Sequence, residues 1–211
     1  MFKFFTIDLT PFRFTFIKYL PPLSPSQKFQ NPVLPKKTRS SPKLTVVLDL
    51  DETLVHCNTQ EGIDASLTFP VNFNGIDYII SGNLRPHCIE FLQKCSERYE
   101  IVLFTASQKI YADQLATIID PNHTLFKYRL FRDSCTFVSG NYLKDLDSLG
   151  RDLSRTVIVD NSPQAFGYHI NNGIPIKSWY EDKKDTELLK VFDFLQELEL
   201  VDDVRYALFL F

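Results

Sequence analysis

Three short apolar runs in this chain each stop abruptly at polar residues of the kind that do chemistry. Leu44-Thr45-Val46-Val47-Leu48 runs into Asp49-Leu50-Asp51-Glu52-Thr53, Ile101-Val102-Leu103-Phe104 ends at Thr105, and Thr156-Val157-Ile158-Val159 ends at Asp160-Asn161. Residues two apart on an extended chain point the same way, so Asp49 and Asp51 are expected to face one crevice. Two carboxylates held together need a cation or a proton to relieve their repulsion. A hard divalent ion with oxygen ligands fits that need, and magnesium is the usual one beside phosphate. The plain alternative is an acidic loop that follows a strand. The strand-ending Thr105 and the Asp160-Asn161 pair downstream favour the chemical reading.

The apolar runs themselves are β-rich and continuous, the pattern of strands buried on both faces of a parallel sheet. Ile174-Pro175-Ile176 reads as a fourth, shorter one, and Leu130-Phe131 and Thr136-Phe137-Val138 as short strands. Between them lie helical stretches: one opened by Pro86 and running to about Arg98, one over Tyr111 to Ile119, and a last one capped by Asp185 with Leu188, Phe192, Leu195 and Leu198 at helical spacing. Strands alternating with helices imply an α/β fold with a doubly wound, mostly parallel sheet, whose ligands bind at the carboxyl ends of the strands. Leu67, Phe69, Val71 and Phe73 alternate with polar residues up to Asn74-Gly75, and Ile76, Tyr78 and Ile80 alternate after it. This predicts a small β-hairpin insertion after the first strand, with Pro70 marking an edge.

With 211 residues, 44% of them apolar and 23% charged, the chain suits one ordinary domain plus a spare segment. No apolar run approaches the roughly 20 residues that cross a bilayer as a helix. Residues 1–44 carry eight basic residues and one acid, a surplus of seven; against the chain's net charge of −3, the rest carries −10. A body that acidic argues against binding nucleic acid by charge. Cys57, Cys88, Cys95 and Cys135 form no C-x-x-C pair and read as reduced thiols; Cys57 reads as a packed thiol in preference to a redox switch. His56, His87, His123 and His169 show no paired zinc-ligand spacing.

Seven of the twelve prolines precede residue 45, so 1–43 is read as a basic, Pro-rich, largely disordered tail and 44–211 as the domain. Within the tail, residues 1–20 mix six phenylalanines with Lys3, Arg13 and Lys18. Such a segment can lie on a membrane surface, dock on the body as an extra strand, or stay poorly ordered. Lys36-Lys37-Thr38-Arg39 has the composition of a nuclear address.

The order of motifs resembles a known family. Asp49-Leu50-Asp51-Glu52-Thr53-Leu54-Val55-His56, Leu103-Phe104-Thr105-Ala106-Ser107, Arg129-Leu130-Phe131-Arg132, Asn141-Tyr142-Leu143-Lys144-Asp145-Leu146 and Asp160-Asn161-Ser162-Pro163 resemble the haloacid-dehalogenase-type aspartyl phosphatases. More narrowly they resemble the small phosphatases of the RNA polymerase II C-terminal domain, and Gly173-Ile174-Pro175-Ile176-Lys177-Ser178-Trp179 the small phosphatase-like protein 2 branch. The similarity covers roughly residues 40–205. Ser81-Gly82-Asn83 departs from it, because bulkier strand residues are expected there.

The resemblance implies a Mg²⁺-dependent protein serine/threonine phosphatase working through an aspartyl-phosphate, on Ser-Pro-type phosphosites in extended segments. It implies Asp49 as nucleophile and Asp51 as general acid–base, with Thr105 and Lys144 supporting the phosphoryl group. It places the metal on Asp49, the backbone carbonyl of Asp51 and Asn161, with Asp160 orienting metal waters. Substrate contacts are expected from Thr53, Arg132, Phe69, Val71 and Tyr111; for Arg132 a structural ion pair is the equal alternative. Expected partners are a phosphoprotein such as the polymerase C-terminal domain, no nucleic acid, and possible peripheral membrane contact through residues 1–20. The chain is expected to be a monomer of the nucleus or cytoplasm, or of the nuclear envelope if that contact is made. Two other readings of the same fold stay open: a catalytically silent binding module and a small-molecule phosphatase.

Overall fold

In the computed structural model, which describes residues 11–24, 31–59 and 65–209, the described residues open with helix α1 (Pro11–Lys18). Strands β1 (Thr45–Leu48), β2 (Val55–Asn58), β3 (Leu67–Phe73) and β4 (Ile76–Leu84) follow, then α2 (Cys88–Ser96), β5 (Glu100–Phe104) and α3 (Lys109–Ile119). The second half runs through β6 (Tyr128–Leu130), β7 (Thr136–Val138), β8 (Asn141–Leu143), β9 (Thr156–Asp160), β10 (Gly173–Pro175), α4 (Glu187–Glu199) and α5 (Val204–Phe209). No helix of the described residues is long and apolar enough to cross a membrane.

Five strands form one parallel sheet in the order β10-β9-β1-β5-β6, with β1 at its centre. Side chains alternate between its faces. Val46, Leu48, Ile101, Leu103, Val157 and Val159 join one core with Phe91 and Leu92 of α2, Leu115 of α3 and Leu188, Val191 and Leu195 of α4. Val47, Val102, Phe104 and Ile158 join the other, with Leu146, Leu149 and Phe166 from short helical turns. The expected doubly wound sheet is therefore present, and two-sided burial explains why its strands are unbroken apolar runs. Phe192 is less buried than its spacing implied; its ring lies under Lys94, 5.7 Å from the ammonium.

The hairpin insertion is larger than expected. β2, which sequence reading missed, pairs with the far half of β4 and makes a three-stranded sheet in the order β2-β4-β3. Pro70 sits on the edge strand, as expected. Asn74 and Gly75 turn the chain with φ of 53° and 80°, the two left-handed residues of a tight primed turn. Gly82 answers the departure at Ser81-Gly82-Asn83. A Cβ there would lie 2.4 Å from the backbone oxygen of His56, so only glycine lets β2 and β4 close.

The expectation of a largely disordered tail over 1–43 gives way over residues 31–43, which are fastened to the body. Leu34 is buried in the second core, Val33 donates its N–H to Ser148 O at 2.8 Å, and Lys37 reaches Pro42 O, Lys43 O and Glu100. The physical reason is the second sheet face, which lacks a long helix and takes Leu34 as part of its cover. Upstream, α1 packs on the turns of Pro163–Asn172, with Ile17 and Leu20 against Gly167 and the Tyr168 hydroxyl donating to Pro21 O at 2.6 Å. Residues 1–10, which hold half of the phenylalanine-rich stretch, lie outside the described residues. The four cysteines are free thiols, and burial pushes Cys57 up to about 11 and Cys88 to about 12.

Candidate active site

Every strand end singled out above meets in one cleft of about 390 Å³, lined by Asp49, Asp51, Thr105, Arg132, Lys144, Asp160 and Asn161 among others. The ladder carries them there: Asp49 N–H bonds to Val159 O, Thr105 N–H to Leu130 O, and Ile176 N–H to Asp160 O. Immediately after Asp51 the chain reverses. Glu52 takes a left-handed φ of 55°, and Leu50 O accepts the N–H groups of Thr53, Leu54 and Val55. A non-glycine residue in that region is worth noticing where it flanks two carboxylates. The turn is locked from outside by Trp179 N–H on Glu52 O and by the buried Arg85 guanidinium on Thr53 O. Arg85 itself is bidentate to Asp185 at 2.7 and 2.8 Å.

Asp49 is buried and held from both sides. Lys144 Nζ lies 2.5 Å from Oδ1, and the Thr53 hydroxyl donates to Oδ2 at 2.9 Å. The same ammonium donates to Asp160 Oδ2 at 2.6 Å. Burial works against the Lys144 charge, but the Asp160 and Asp49 charges raise its pKa above the ordinary lysine value, so it stays a cation. Thus the repulsion expected between neighbouring carboxylates is offset first by a resident side chain. Burial pushes Asp160 upward against the pull of that cation.

Asp51 is held differently, by hydroxyls. Ser107 donates to Oδ2 at 2.6 Å, Tyr111 to Oδ1 at 2.7 Å, and Thr105 lies 3.4 Å from Oδ2. Desolvation raises its pKa, reinforced by the Asp49 charge, although the hydrogen bonds of Ser107 and Tyr111 work the other way. A carboxyl group with a raised pKa at the wall of a cleft suits proton transfer to a bound group. Burial likewise raises the Tyr111 phenol, so it remains a donor to Asp51.

The oxygen donors suit a hard divalent cation. The Asn161 amide nitrogen donates to Ser178 Oγ at 3.0 Å, which turns its oxygen toward the site, 3.5 Å from Thr53 Oγ1. With the Asp49 carboxylate, which lines the same cleft, this offers oxygen donors of the kind such an ion takes. The side chains of Asp145, Asp147 and His169 also approach one another. There, however, Asp145 Oδ1 already accepts from Asp147 N–H and pairs with His169 Nε2 at 2.8 Å, which is a turn cap and not the cleft.

Three expected substrate contacts are corrected by burial. Thr53 is fully buried and serves Asp49. Phe69 and Val71 are 4% and 5% exposed, because the pleat of β3 turns them into the first core. Phe69 stacks on the ring of Tyr111, 6.2 Å between centroids, and so supports the residue that holds Asp51. Arg132 does line the cleft; its Nε donates to Ala106 O at 2.6 Å and its guanidinium lies 4.9 Å from the Tyr142 ring centroid, with no ion pair among the described contacts. Ser107 and Tyr142 were missed as site residues, although both lie inside the motifs that carried the family resemblance.

Comparison with known proteins agrees with this geometry. The family model described as NLI interacting factor-like phosphatase matches residues 44–205. The chain is 56% identical over 172 residues to CTD small phosphatase-like protein 2 of Dictyostelium discoideum, covering 82% of this chain and 30% of that protein. It is 50% identical to CTD small phosphatase-like protein 3 of Caenorhabditis elegans, covering 90% and 66%. It is 45% identical to the human carboxy-terminal domain RNA polymerase II polypeptide A small phosphatase 1, covering 82% and 66%. The chain thus spans two thirds or less of the length of these relatives. The fission yeast RNA polymerase II CTD phosphatase Fcp1, in a structure bound to beryllium fluoride, superposes with a TM-score of 0.58 at 24% identity, covering 75% of this chain and 51% of that one; this likeness shows the shared fold. From its first buried strand to its last helices, the chain belongs to the NLI interacting factor-like phosphatase family.

Proposed function

We propose that the protein is a magnesium-dependent phosphatase of phosphoserine or phosphothreonine in extended, Ser-Pro-type segments, with the RNA polymerase II C-terminal domain as the model substrate. The carrying observation is the unequal environment of two carboxylates in one cleft: Asp49 sits between a lysine and a hydroxyl, and Asp51 sits among hydroxyls. The human relative named for the polymerase C-terminal domain supports the substrate class.

In this reading an Asp49 oxygen attacks phosphorus as the bond from phosphorus to the seryl oxygen breaks. Asp51 gives its proton to that departing oxygen. Water then attacks the phosphorus of the Asp49 acyl-phosphate, and Asp51 takes the proton from that water. The phosphorus–Asp49 bond breaks, restoring the carboxylate and releasing inorganic phosphate. Lys144 balances the negative charge on the phosphoryl oxygens throughout, and Thr105 donates a hydrogen bond to one of them. Asp49, the Asp51 carbonyl and Asn161 would hold the magnesium ion, with Asp160 behind them, and a bound ion would offset phosphate charge. The acidic body keeps the protein off nucleic acid, and we place it as a monomer in nucleus or cytoplasm.

Asp49→Asn is the direct test, because an amide is nearly isosteric and a poor nucleophile. Turnover of p-nitrophenyl phosphate and of a phosphoserine peptide should fall below about 1% of wild type, with the melting temperature retained. Substantial residual turnover in the folded variant would remove Asp49 as nucleophile.

A further inference from the structure

Beyond the strand ends, the cleft has a support that lies far upstream in the chain. Leu143 immediately precedes Lys144 and is fully buried, yet it belongs to neither sheet core. It packs toward Gly167 instead: a Cβ there would lie 3.9 Å from Leu143 Cδ2, 3.8 Å from Ile17 Cγ1 and 3.5 Å from Leu20 Cδ2. Three apolar side chains thus converge on one bare glycine, two of them from α1 and the residues just after it. The Tyr168 hydroxyl fastens the same segment by donating to Pro21 O at 2.6 Å. The turns of Pro163–Asn172 on which the segment sits form part of the cleft. Gln164 and Ala165 line it, and Ala165 O accepts the Lys144 N–H at 2.6 Å. On the other flank, a cavity of about 210 Å³ is lined by Tyr19, Leu20 and Pro21 together with Ser139, whose neighbours Gly140, Asn141 and Tyr142 line the cleft.

Building on the phosphatase reading, we infer that Ile17 and Leu20 are positioning residues for that reaction: seated on Gly167, they hold Leu143 and the 163–172 turns so that the Lys144 ammonium stays on Asp49 and Asp160. The family match begins at residue 44, so this support lies outside it. The ammonium lies 2.5 and 2.6 Å from the two carboxylates, and charge-assisted bonds that short tolerate little displacement. Serine at positions 17 and 20 would leave room over Gly167, and Leu143 and Ala165 O could then shift together. A catalytic group misplaced by ~1 Å through a remote change can cost about 10²-fold in rate. The effect acts at the phosphoryl group and not at the flanking peptide, so it lowers kcat alike for a peptide and for p-nitrophenyl phosphate.

The test measures kcat and KM for p-nitrophenyl phosphate and a phosphoserine peptide on the full chain carrying Ile17→Ser and Leu20→Ser together, at a temperature where circular dichroism shows the variant folded. On both substrates kcat should fall about tenfold with KM changed by less than about twofold, and Leu20→Met should stay near wild type because it fills the same space. Tyr168→Phe, which removes only the bond to Pro21, should lower kcat about two- to threefold. Wild-type kcat in the folded double variant would overturn the inference. So would a raised peptide KM with p-nitrophenyl phosphate turnover unchanged, which would make the segment a substrate contact. Should the double variant not fold, Tyr168→Phe decides, and an unchanged kcat there overturns the inference. If the wild type turns over neither substrate, the phosphatase reading fails and takes this inference with it. If it turns over p-nitrophenyl phosphate alone, the substrate class fails and the positioning role is still read from that kcat.

Discussion

Phe69 and Phe137 stand at outwardly similar places, each inside one strand of an antiparallel hairpin. One is 4% exposed and the other 56%. Both hairpins turn on two left-handed residues, Asn74-Gly75 and Ser139-Gly140. The difference lies in what is behind them. β3 is seven residues long and lays a full apolar face on α3 and the first core, so its phenylalanine is structural. β7 and β8 have three residues each, enough to bury one side and no more. Their outward pair, Phe137 and Tyr142, packs ring against ring and stays partly exposed. An aromatic residue on an alternating strand is thus a core residue or a surface residue according to the partner layer, and periodicity alone does not distinguish them.

The comparison breaks most sharply on stability. Phe69→Ala should cost ~3–5 kcal/mol, whereas Phe137→Ala should stay within about 0.5 kcal/mol, both by urea denaturation. Equal costs would mean that the two rings are buried alike. Next in size, Gly82→Ala should cost about 1–3 kcal/mol, because the new methyl meets backbone and not a flexible tip. A neutral outcome would show that β2 and β4 are not so closely apposed.

The third prediction sharpens the catalytic side of the first hairpin. Tyr111→Phe keeps the stacking on Phe69 and removes the hydroxyl from Asp51. Phosphoserine-peptide kcat should fall about three- to tenfold, in line with one hydrogen bond to an ionisable group, and p-nitrophenyl phosphate turnover should fall less. A pure KM effect would make Tyr111 a substrate contact and not a support for Asp51.

The smallest effect concerns pH. Burial alone would raise the Asp185 carboxyl, but hydrogen bonds and charge from Arg85, just past β4, hold it below its ordinary value. A depressed carboxylate contributes stability that is present above the unfolded pKa, about 4, and lost as pH falls through the lower folded pKa. The urea midpoint should drop as pH falls below about 4, and Asp185→Asn should flatten part of that slope while lowering the midpoint at pH 7. An unchanged slope would show that other carboxylates carry the acid sensitivity.

Much of this was legible from residue order. Continuous apolar runs with polar ends mark strands buried on both faces, because nothing else accommodates Val-Ile-Leu stretches that short, and Asp49, Asp51, Thr105, Asp160 and Asn161 then fall at one edge of the sheet by chain geometry. Asn74-Gly75 announces its hairpin because few other pairs accept two left-handed residues at low cost. Lys144 was legible only through its motif, since a lysine on a short loop strand has no spacing that separates it from a surface lysine. Its burial between Asp49 and Asp160 is a tertiary fact, made where the chain just past β8 brings the ammonium to two carboxylates at the ends of β1 and β9. The same holds for the hydroxyls on Asp51, the docking of Leu34, and the opposite fates of Phe69 and Phe137. Local sequence determines what a segment can form and which side chains share a face. Which of those faces is covered depends on contacts between residues far apart in the chain, and only the folded structure decides it.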